Sequence, residues 1–265
     1  MLHYVFDTGV AADIATIEVA TELKTRVESK KNLPLITSNC PAWVKYVEQF
    51  YPELIPNLSQ CKSPQQIIGS LIINHFAPTQ GIKPNSIFSV SITPCLARKF
   101  EAQRADMTSK GDSDIDAVLS TRELAKLIRL YGIDIHNIEP QPADSPYETS
   151  SSSGKLYSVS GGTTESILRT YYYLSTGKEL TNKKISEIRL KPNTKNTEIK
   201  VGRESLKATV DNGLTSINEL ANSIISGKNS SHLVEVMACP GGCINGGGQQ
   251  LGASEKELKA RQKEI

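Results

Sequence analysis

Hydrophobic positions recur along the chain with two spacings, one typical of amphipathic helices and one typical of buried strands. Helical spacing predicts helices over residues 10–29, 44–51, 64–73, 116–131, 163–174 and 212–226. Apolar or alternating runs predict strands over residues 33–36, 86–92, 186–201 and 233–238. We expect a serine-rich loop over 147–154 and a surface helix or frayed end over 254–265. Strands that run into turns and then helices are typical of the α/β class, in which sites lie at the carboxyl ends of strands.

Composition narrows the class of protein. Hydrophobic residues make up 38% of the chain and charged residues 22%, a balance typical of folded proteins and not of disordered ones. The formal charge is only +2 and basic tracts do not exceed short pairs, so we expect no nucleic-acid partner. No apolar stretch is long enough for a membrane span, and the start does not resemble a signal peptide, so we expect a cytoplasmic location.

The five cysteines carry the strongest chemical signal. An odd number in a reducing compartment argues against a disulfide framework. Cys40 and Cys95 each adjoin a proline, and Cys239 and Cys243 share a glycine-rich turn. Glycine and proline allow the sharp turns and close backbone approaches that converging metal ligands need. We therefore expect these four cysteines to bind a metal cluster, and Cys61 to be an ordinary thiol.

Three cysteine-containing motifs resemble those of the iron-iron (FeFe) hydrogenase catalytic domain, in the same order. Thr37-Ser-Asn-Cys-Pro-Ala-Trp43 resembles T-S-C-C-P-x-W, and Thr93-Pro-Cys-Leu-Ala-Arg-Lys-Phe-Glu101 resembles M-P-C-x-x-K-x-x-E. Glu235-Val-Met-Ala-Cys-Pro-Gly-Gly-Cys-Ile-Asn-Gly-Gly-Gly-Gln249 matches the third motif at its recognisable positions. Together with flanking similarities, the resemblance covers almost the whole chain.

The resemblance implies a fold and a cofactor. It implies two lobes of mainly parallel β-sheet flanked by helices, with the metal cluster in the cleft between them. It implies that Cys40, Cys95, Cys239 and Cys243 hold a 4Fe-4S cluster, and that Cys243 also bridges to a two-iron subsite carrying carbon monoxide, cyanide and a dithiolate bridge. The two parts form the H-cluster, which interconverts hydrogen with protons and electrons.

The proton relay implied by the family is incomplete in this sequence. Asn39 occupies the position of a cysteine that exchanges protons, and an amide does not do so. Val19 occupies the position of a glutamate, whereas Ser59, Glu22 and Arg26 match the remaining stations. We therefore expect slow turnover, or proton movement by ordered water or another route. Restoring cysteine at position 39 is expected to raise turnover if this gap limits the rate.

The expected pocket of the two-iron subsite is altered on one side. Arg98 stands where the family has a lysine that hydrogen-bonds a cyanide, and Thr93 replaces a methionine. The exchange of lysine for arginine keeps the charge but not the shape. Other residues expected around the subsite are Met237, Pro64 and Gln65, which match the family, and Tyr157, where phenylalanine is common.

Relative to the family, the sequence looks short at both ends, so we expect a single minimal domain over residues 1–265. The sequence contains no C-x2-C-x2-C array of an accessory ferredoxin-like domain. Electrons are then expected from a ferredoxin or another carrier. Hydrogenase maturation proteins are further expected partners, and a second chain could complete the domain.

Three functions from different classes follow from these features. An active minimal hydrogenase is favoured by the cluster ligands, and a hydrogen-sensing or regulatory protein of low turnover is favoured by the broken relay. A non-catalytic iron-sulfur assembly factor of the hydrogenase-like family is the third, although such factors usually carry further amino-terminal cysteines.

Overall fold

The computed structural model describes residues 4–109, 111–144, 150–181, 183–189, 194–213 and 215–263. Its helices are α1 (Gly9–Ser29), α2 (Pro41–Phe50), α3 (Pro64–Leu71), α4 (Ala77–Thr79), α5 (Ala97–Ala102), α6 (Thr121–Leu130), α7 (Ser152–Leu156), α8 (Gly162–Thr176), α9 (Ile217–Ile225) and α10 (Glu255–Lys263). Its strands are β1 (Leu35–Ile36), β2 (Val90–Thr93), β3 (Thr108–Ser109), β4 (Asp112–Ser113), β5 (Ala117–Ser120), β6 (Lys195–Val201), β7 (Glu204–Asn212) and β8 (Leu233–Met237). No helix in the described ranges combines the length and apolar character that crossing a membrane requires.

The larger sheet has the order β1-β8-β7-β6, with β1, β8 and β7 parallel and β6 antiparallel to β7. Helices cover both of its faces. Leu35 and Leu233 pack on one face against α1 and α8, while Ile36, Val234 and Val236 pack on the other against α2 and α9. All five residues of β8 are buried, as expected for a parallel strand covered on both sides.

The smaller lobe is built on two parallel strands, β2 and β5, together with the antiparallel pair β3 and β4. Here the sequence predictions need correction. The strand predicted over 86–92 is confined to Val90–Thr93 and is not buried, since Val90 is 38% and Ile92 49% exposed. The helix predicted over 116–131 begins only at Thr121, because β5 comes first.

A capping box sets that helix start. The Ser120 hydroxyl accepts a hydrogen bond from the Glu123 amide, and the Glu123 carboxylate accepts one from the Ser120 amide. The cap residue itself has an extended backbone, so the preceding segment continues as a strand. Apolar spacing alone did not reveal this boundary.

Three further boundaries differ from the predictions. The run 186–201 is divided between a short 3-10 helix at Lys183–Ile188 and β6, and β7 follows it. The helix predicted over 212–226 starts at Ile217 because Asn212 still belongs to β7 and Gly213 turns the chain at φ +93°. In the predicted loop over 147–154, residues 147–149 lie outside the described ranges and α7 begins at Ser152.

Candidate metal centre

Four cysteines lie where strands of the two sheets end. Cys40 is the N-cap of α2, just beyond β1, and helix α2 starts with Pro41 as its first residue. Cys95 follows β2 of the smaller lobe, whereas Cys239 and Cys243 follow β8 of the larger sheet. The predicted strand-to-turn placement is therefore observed for all four, and it brings both lobes to one place.

The four cysteines line a single cavity of about 170 Å³. Apart from the cysteines, its wall consists of apolar side chains and glycine backbone: Pro41, Ala42, Leu96, Ala97, Met237, Ala238, Gly242, Gly246 and Gly247. Such a wall offers little to a polar ligand other than the sulfur atoms. Cysteines from three separate chain segments thus provide the main donor atoms of this cavity.

Glycines let the loop after β8 lie directly on the Cys95 segment. A Cβ at Gly246 would lie 2.3 Å from the Pro94 carbonyl oxygen, so only glycine fits this close approach. The Gly248 amide donates a hydrogen bond to the same carbonyl at 2.7 Å. The glycine-rich stretch of the third motif therefore joins Cys243 to Cys95.

Burial keeps three of these thiols, Cys40, Cys239 and Cys243, neutral in the absence of a metal. It raises the pKa of Cys40 and Cys239, and raises the pKa of Cys243 to about 12. An electropositive centre is needed before such sulfur atoms bind as thiolates.

The arrangement fits a cluster better than one ion. Among the described residues, no three His, Cys, Asp or Glu side chains converge closely enough to hold a single metal ion. Four thiols spread around a cavity suit a multi-iron centre, in which each thiolate binds a different iron atom. The residues present therefore fit the cluster that the sequence predicts, and their role as ligands stays a prediction.

A buried cation lies beside the cavity. The Nη1 atom of Arg98 donates to both carboxylate oxygens of Glu101 at 2.7 Å. Its Nη2 atom donates to the Asn39 carbonyl at 2.9 Å and to the Asn39 side-chain oxygen at 3.1 Å. Burial opposes the charge, but the Glu101 carboxylate outweighs it and holds the Arg98 pKa above its ordinary value.

Through Glu101 the Arg98 group extends to Gln65, a predicted pocket residue, and to Ser63 beside it. Ser63 donates to Glu101 at 2.9 Å and the Gln65 amide donates at 3.4 Å. The Gln65 side-chain oxygen in turn accepts from Ser91 on β2. One hydrogen-bonded network therefore joins α5, α3 and β2 to the loop that holds Asn39.

The other residues predicted around the two-iron subsite do not all line the cavity. Met237, the last residue of β8, lines the cavity itself. Pro64 is the first residue of α3, and Thr93 ends β2, where its hydroxyl accepts from the Cys95 amide at 3.3 Å. Tyr157 is buried against Ala12 and Ala15 of α1.

Three of the predicted relay residues form a second group. The Ser59 hydroxyl donates to the Glu22 carboxylate at 2.6 Å, and Arg26 donates to the other oxygen of Glu22 at 2.6 Å. Val19 is buried among apolar side chains and offers no exchangeable proton. The structure thus joins Glu22, Arg26 and Ser59 to one another and leaves Asn39 in the Arg98 network.

Cys61 lies next to this relay group. Its amide donates to the Ser59 hydroxyl, and its thiol donates to the Lys62 carbonyl at 3.3 Å. Burial, and then the charges of Glu18 and Glu22, raise the pKa of Cys61 to about 12. A thiol this weakly acidic is consistent with the ordinary role predicted for it.

Sequence reasoning did not assign a role to two important carboxylates. Glu101 ends the second motif, and that position was its only signal. Glu235 lies within the apolar run of β8, where a single charged residue is itself a signal. Its carboxylate accepts from the Gly161 amide and the Thr164 amide, both at 2.7 Å, and so ties β8 to the start of α8.

The fold is α/β, and it places four thiols around one cavity between two lobes. The chain belongs to the family of iron-only hydrogenase large subunits: the model of their C-terminal domain matches residues 2–247. The family resemblance and the α/β fold predicted from sequence are therefore confirmed.

Relatives of two kinds share this domain. Iron hydrogenase 1 of Clostridium pasteurianum is 38% identical over 245 residues, covering 92% of this chain and 43% of the relative. The cytosolic Fe-S cluster assembly factor narfl of Xenopus tropicalis is 32% identical over 288 residues, covering 100% of this chain and 58% of the relative. The chain thus spans about half the length of these relatives.

Solved structures agree with the fold. A variant of the FeFe-hydrogenase HydA1 from Chlamydomonas reinhardtii superposes with a TM-score of 0.84 at 29% identity, covering 99% of this chain and 74% of that chain. An apo form of another HydA1 variant gives the same TM-score at 31% identity, with 98% and 73% covered. About a quarter of each of these structures has no counterpart in this chain.

Proposed function

We propose that this protein binds an H-cluster and interconverts hydrogen with protons and electrons. The observation that supports this most is the convergence of Cys40, Cys95, Cys239 and Cys243 on one apolar cavity that Met237 also lines. When bound, the 4Fe-4S cluster and its two-iron subsite supply the redox chemistry of this reaction.

The protein's own residues provide the surroundings of that chemistry. The buried Met237 side chain excludes water from its part of the apolar wall and lowers the local dielectric constant there. The Arg98 cation, near Cys95 and Cys243, stabilises negative charge on the thiolates. The apolar wall and the Arg98 cation therefore both favour binding of a cluster by the cysteine thiolates.

Electrons enter from a partner in this proposal. Leu96 lines the cavity and is 44% exposed, so the cluster site approaches the surface at α5. A ferredoxin or another small carrier docking at this side delivers electrons without an accessory cluster in the described domain. Maturation proteins supply the two-iron subsite.

In this proposal, proton transfer to the cavity limits the rate of turnover. Glu22, Arg26 and Ser59 form a connected group, but Val19 and Asn39 place no titratable side chain between that group and the cavity. We therefore infer slow turnover, which also suits a hydrogen-sensing or regulatory role.

A second candidate is a non-catalytic iron-sulfur assembly factor. Its support is the similarity to narfl, which extends over the whole chain. In that case the four cysteines hold a 4Fe-4S cluster and no two-iron subsite is inserted.

A second polypeptide could complete the smaller lobe. Helix α6 has no buried residue, and Leu130 and Tyr131 at its end are 70% and 79% exposed. Apolar side chains of β2 are exposed as well. These faces support the expectation of a second chain in this region.

The test measures hydrogen evolution from reduced methyl viologen after maturation with the two-iron subsite. A hydrogenase evolves hydrogen and shows infrared bands of carbon monoxide and cyanide. A sensor shows the bands with little turnover, and an assembly factor shows neither. The Cys243→Ala variant is expected to lose both signals, whereas Cys61→Ala keeps them; bands that persist without the Cys243 thiol would contradict the proposal.

A further inference from the structure

Two departures from the family motifs contact each other. Asn39 lies in the first motif and Arg98 in the second, separated by 59 positions in the chain. In the fold, the guanidinium of Arg98 donates to both oxygens of Asn39, and both residues are buried. A change at either position therefore alters the surroundings of the other.

The Arg98 guanidinium donates to two partners, Glu101 and Asn39. A guanidinium has donors only, and burial requires each of them to find an acceptor. Glu101 accepts from Nη1 and Asn39 accepts from Nη2. Glu101 is itself held by Ser63, so the position of the guanidinium is set from two sides.

We propose that Asn39 is a positioning residue for Arg98: its side-chain oxygen, opposite Glu101, fixes the guanidinium beside the cluster cysteines. Asn39 is then not simply a missing proton station. The inference goes beyond the proposed function, and rests on it only for the cluster that the guanidinium faces.

The pairing predicts that a cysteine at position 39 alone destabilises the buried guanidinium of Arg98. A cysteine at position 39 keeps the backbone carbonyl but replaces the amide oxygen by sulfur, which is a weak acceptor. Part of the buried guanidinium would then lose its partner, a costly loss for a charged group. Lysine at position 98 has a compact head that does not need the forked set of acceptors.

A double-mutant cycle tests this pairing in the full chain, before and after anaerobic iron-sulfur reconstitution. We expect Asn39→Cys to lower the melting temperature by about 5 °C when Arg98 is present. In the Arg98→Lys background the same substitution is expected to cost less than about 2 °C. Asn39→Asp, which keeps an acceptor oxygen, should remain near the parent protein.

Asn57→Cys provides a matched control for the cycle. The Asn57 carbonyl also accepts from a buried arginine, Arg26, but its side-chain amide donates to the Pro34 carbonyl instead. Asn57→Cys is therefore expected to lower the melting temperature equally in the Arg98 and Arg98→Lys backgrounds. If Asn39→Cys lowers the melting temperature equally in both backgrounds, the proposal is overturned.

The reduction potential of the reconstituted cluster gives the readout that general destabilisation does not predict. If Asn39 positions the cation, Asn39→Cys shifts the potential to a lower value, because positive charge moves away from the thiolates. The same substitution should cause no further shift in the Arg98→Lys background. If Asn39→Cys leaves the reduction potential unchanged, the positioning role is overturned. If no variant binds iron, the cluster assignment is contradicted, and the melting temperatures of the cluster-free variants still test the pairing.

Discussion

At the scale of single residues, burial decides the charge state of Cys243 and Cys61. It raises the pKa of Cys243 and of Cys61 to about 12, yet the two thiols have different surroundings. Cys243 shares a cavity with three other cysteines and interacts with the Arg98 cation, whereas Cys61 lies near the carboxylates of Glu18 and Glu22. The same residue type is therefore a candidate ligand in one place and an inert thiol in the other.

The raised pKa of Cys61 predicts a pH dependence of stability. The unfolded thiol releases its proton near pH 9.0, while the folded one keeps it up to about 12. Its contribution to stability is therefore complete below the unfolded pKa and is lost as the pH rises through this window. Thermal unfolding of the cluster-free chain from about pH 8 to about pH 11 should decline less steeply in Cys61→Ala than in the parent protein. Parallel curves would contradict this reading of Cys61.

At the scale of elements, the junction between β8 and α8 aligns the ligand-bearing end of the central strand. The Glu235 carboxylate accepts hydrogen bonds from two backbone amides at the start of α8 and from the Thr164 hydroxyl. Burial raises the pKa of Glu235, while these hydrogen bonds oppose the shift. A helix N-terminus is a favourable place for a negative charge. The Glu235 side chain therefore links β8 to α8 by hydrogen bonds, in addition to the apolar packing between them.

Replacing that carboxylate by an amide tests the junction. In Glu235→Gln one buried amide of α8 would face an NH₂ group, and we expect a loss of about 1–3 kcal/mol in the free energy of unfolding. Chemical denaturation of the cluster-free chain measures this loss. Glu123→Gln is the matched control, since Glu123 caps α6 and pairs with Lys99 at a half-buried position that water can reach. A loss no larger than that of the control would contradict the role given to Glu235.

At the scale of the whole molecule, the sequence identified the family, the α/β class and the turns that hold the cysteines. Residue type and spacing suffice for these features because proline, glycine and cysteine act locally. The contact between Asn39 and Arg98 depends on two lobes meeting, and no local pattern reports it. Strand β7 was missed although its sequence carries the signal of a strand, since Leu206, Ala208 and Val210 alternate with polar residues.

The cluster itself offers the most direct measurement. After anaerobic reconstitution, we expect about four iron and about four sulfide per chain, and a marked loss of both in single alanine variants of Cys40, Cys95 and Cys239. Cys61→Ala should retain the full content and serves as the control. A parent protein that takes up no iron or sulfide, or ligand variants that keep the whole complement, would contradict the assignment of these cysteines to a metal cluster.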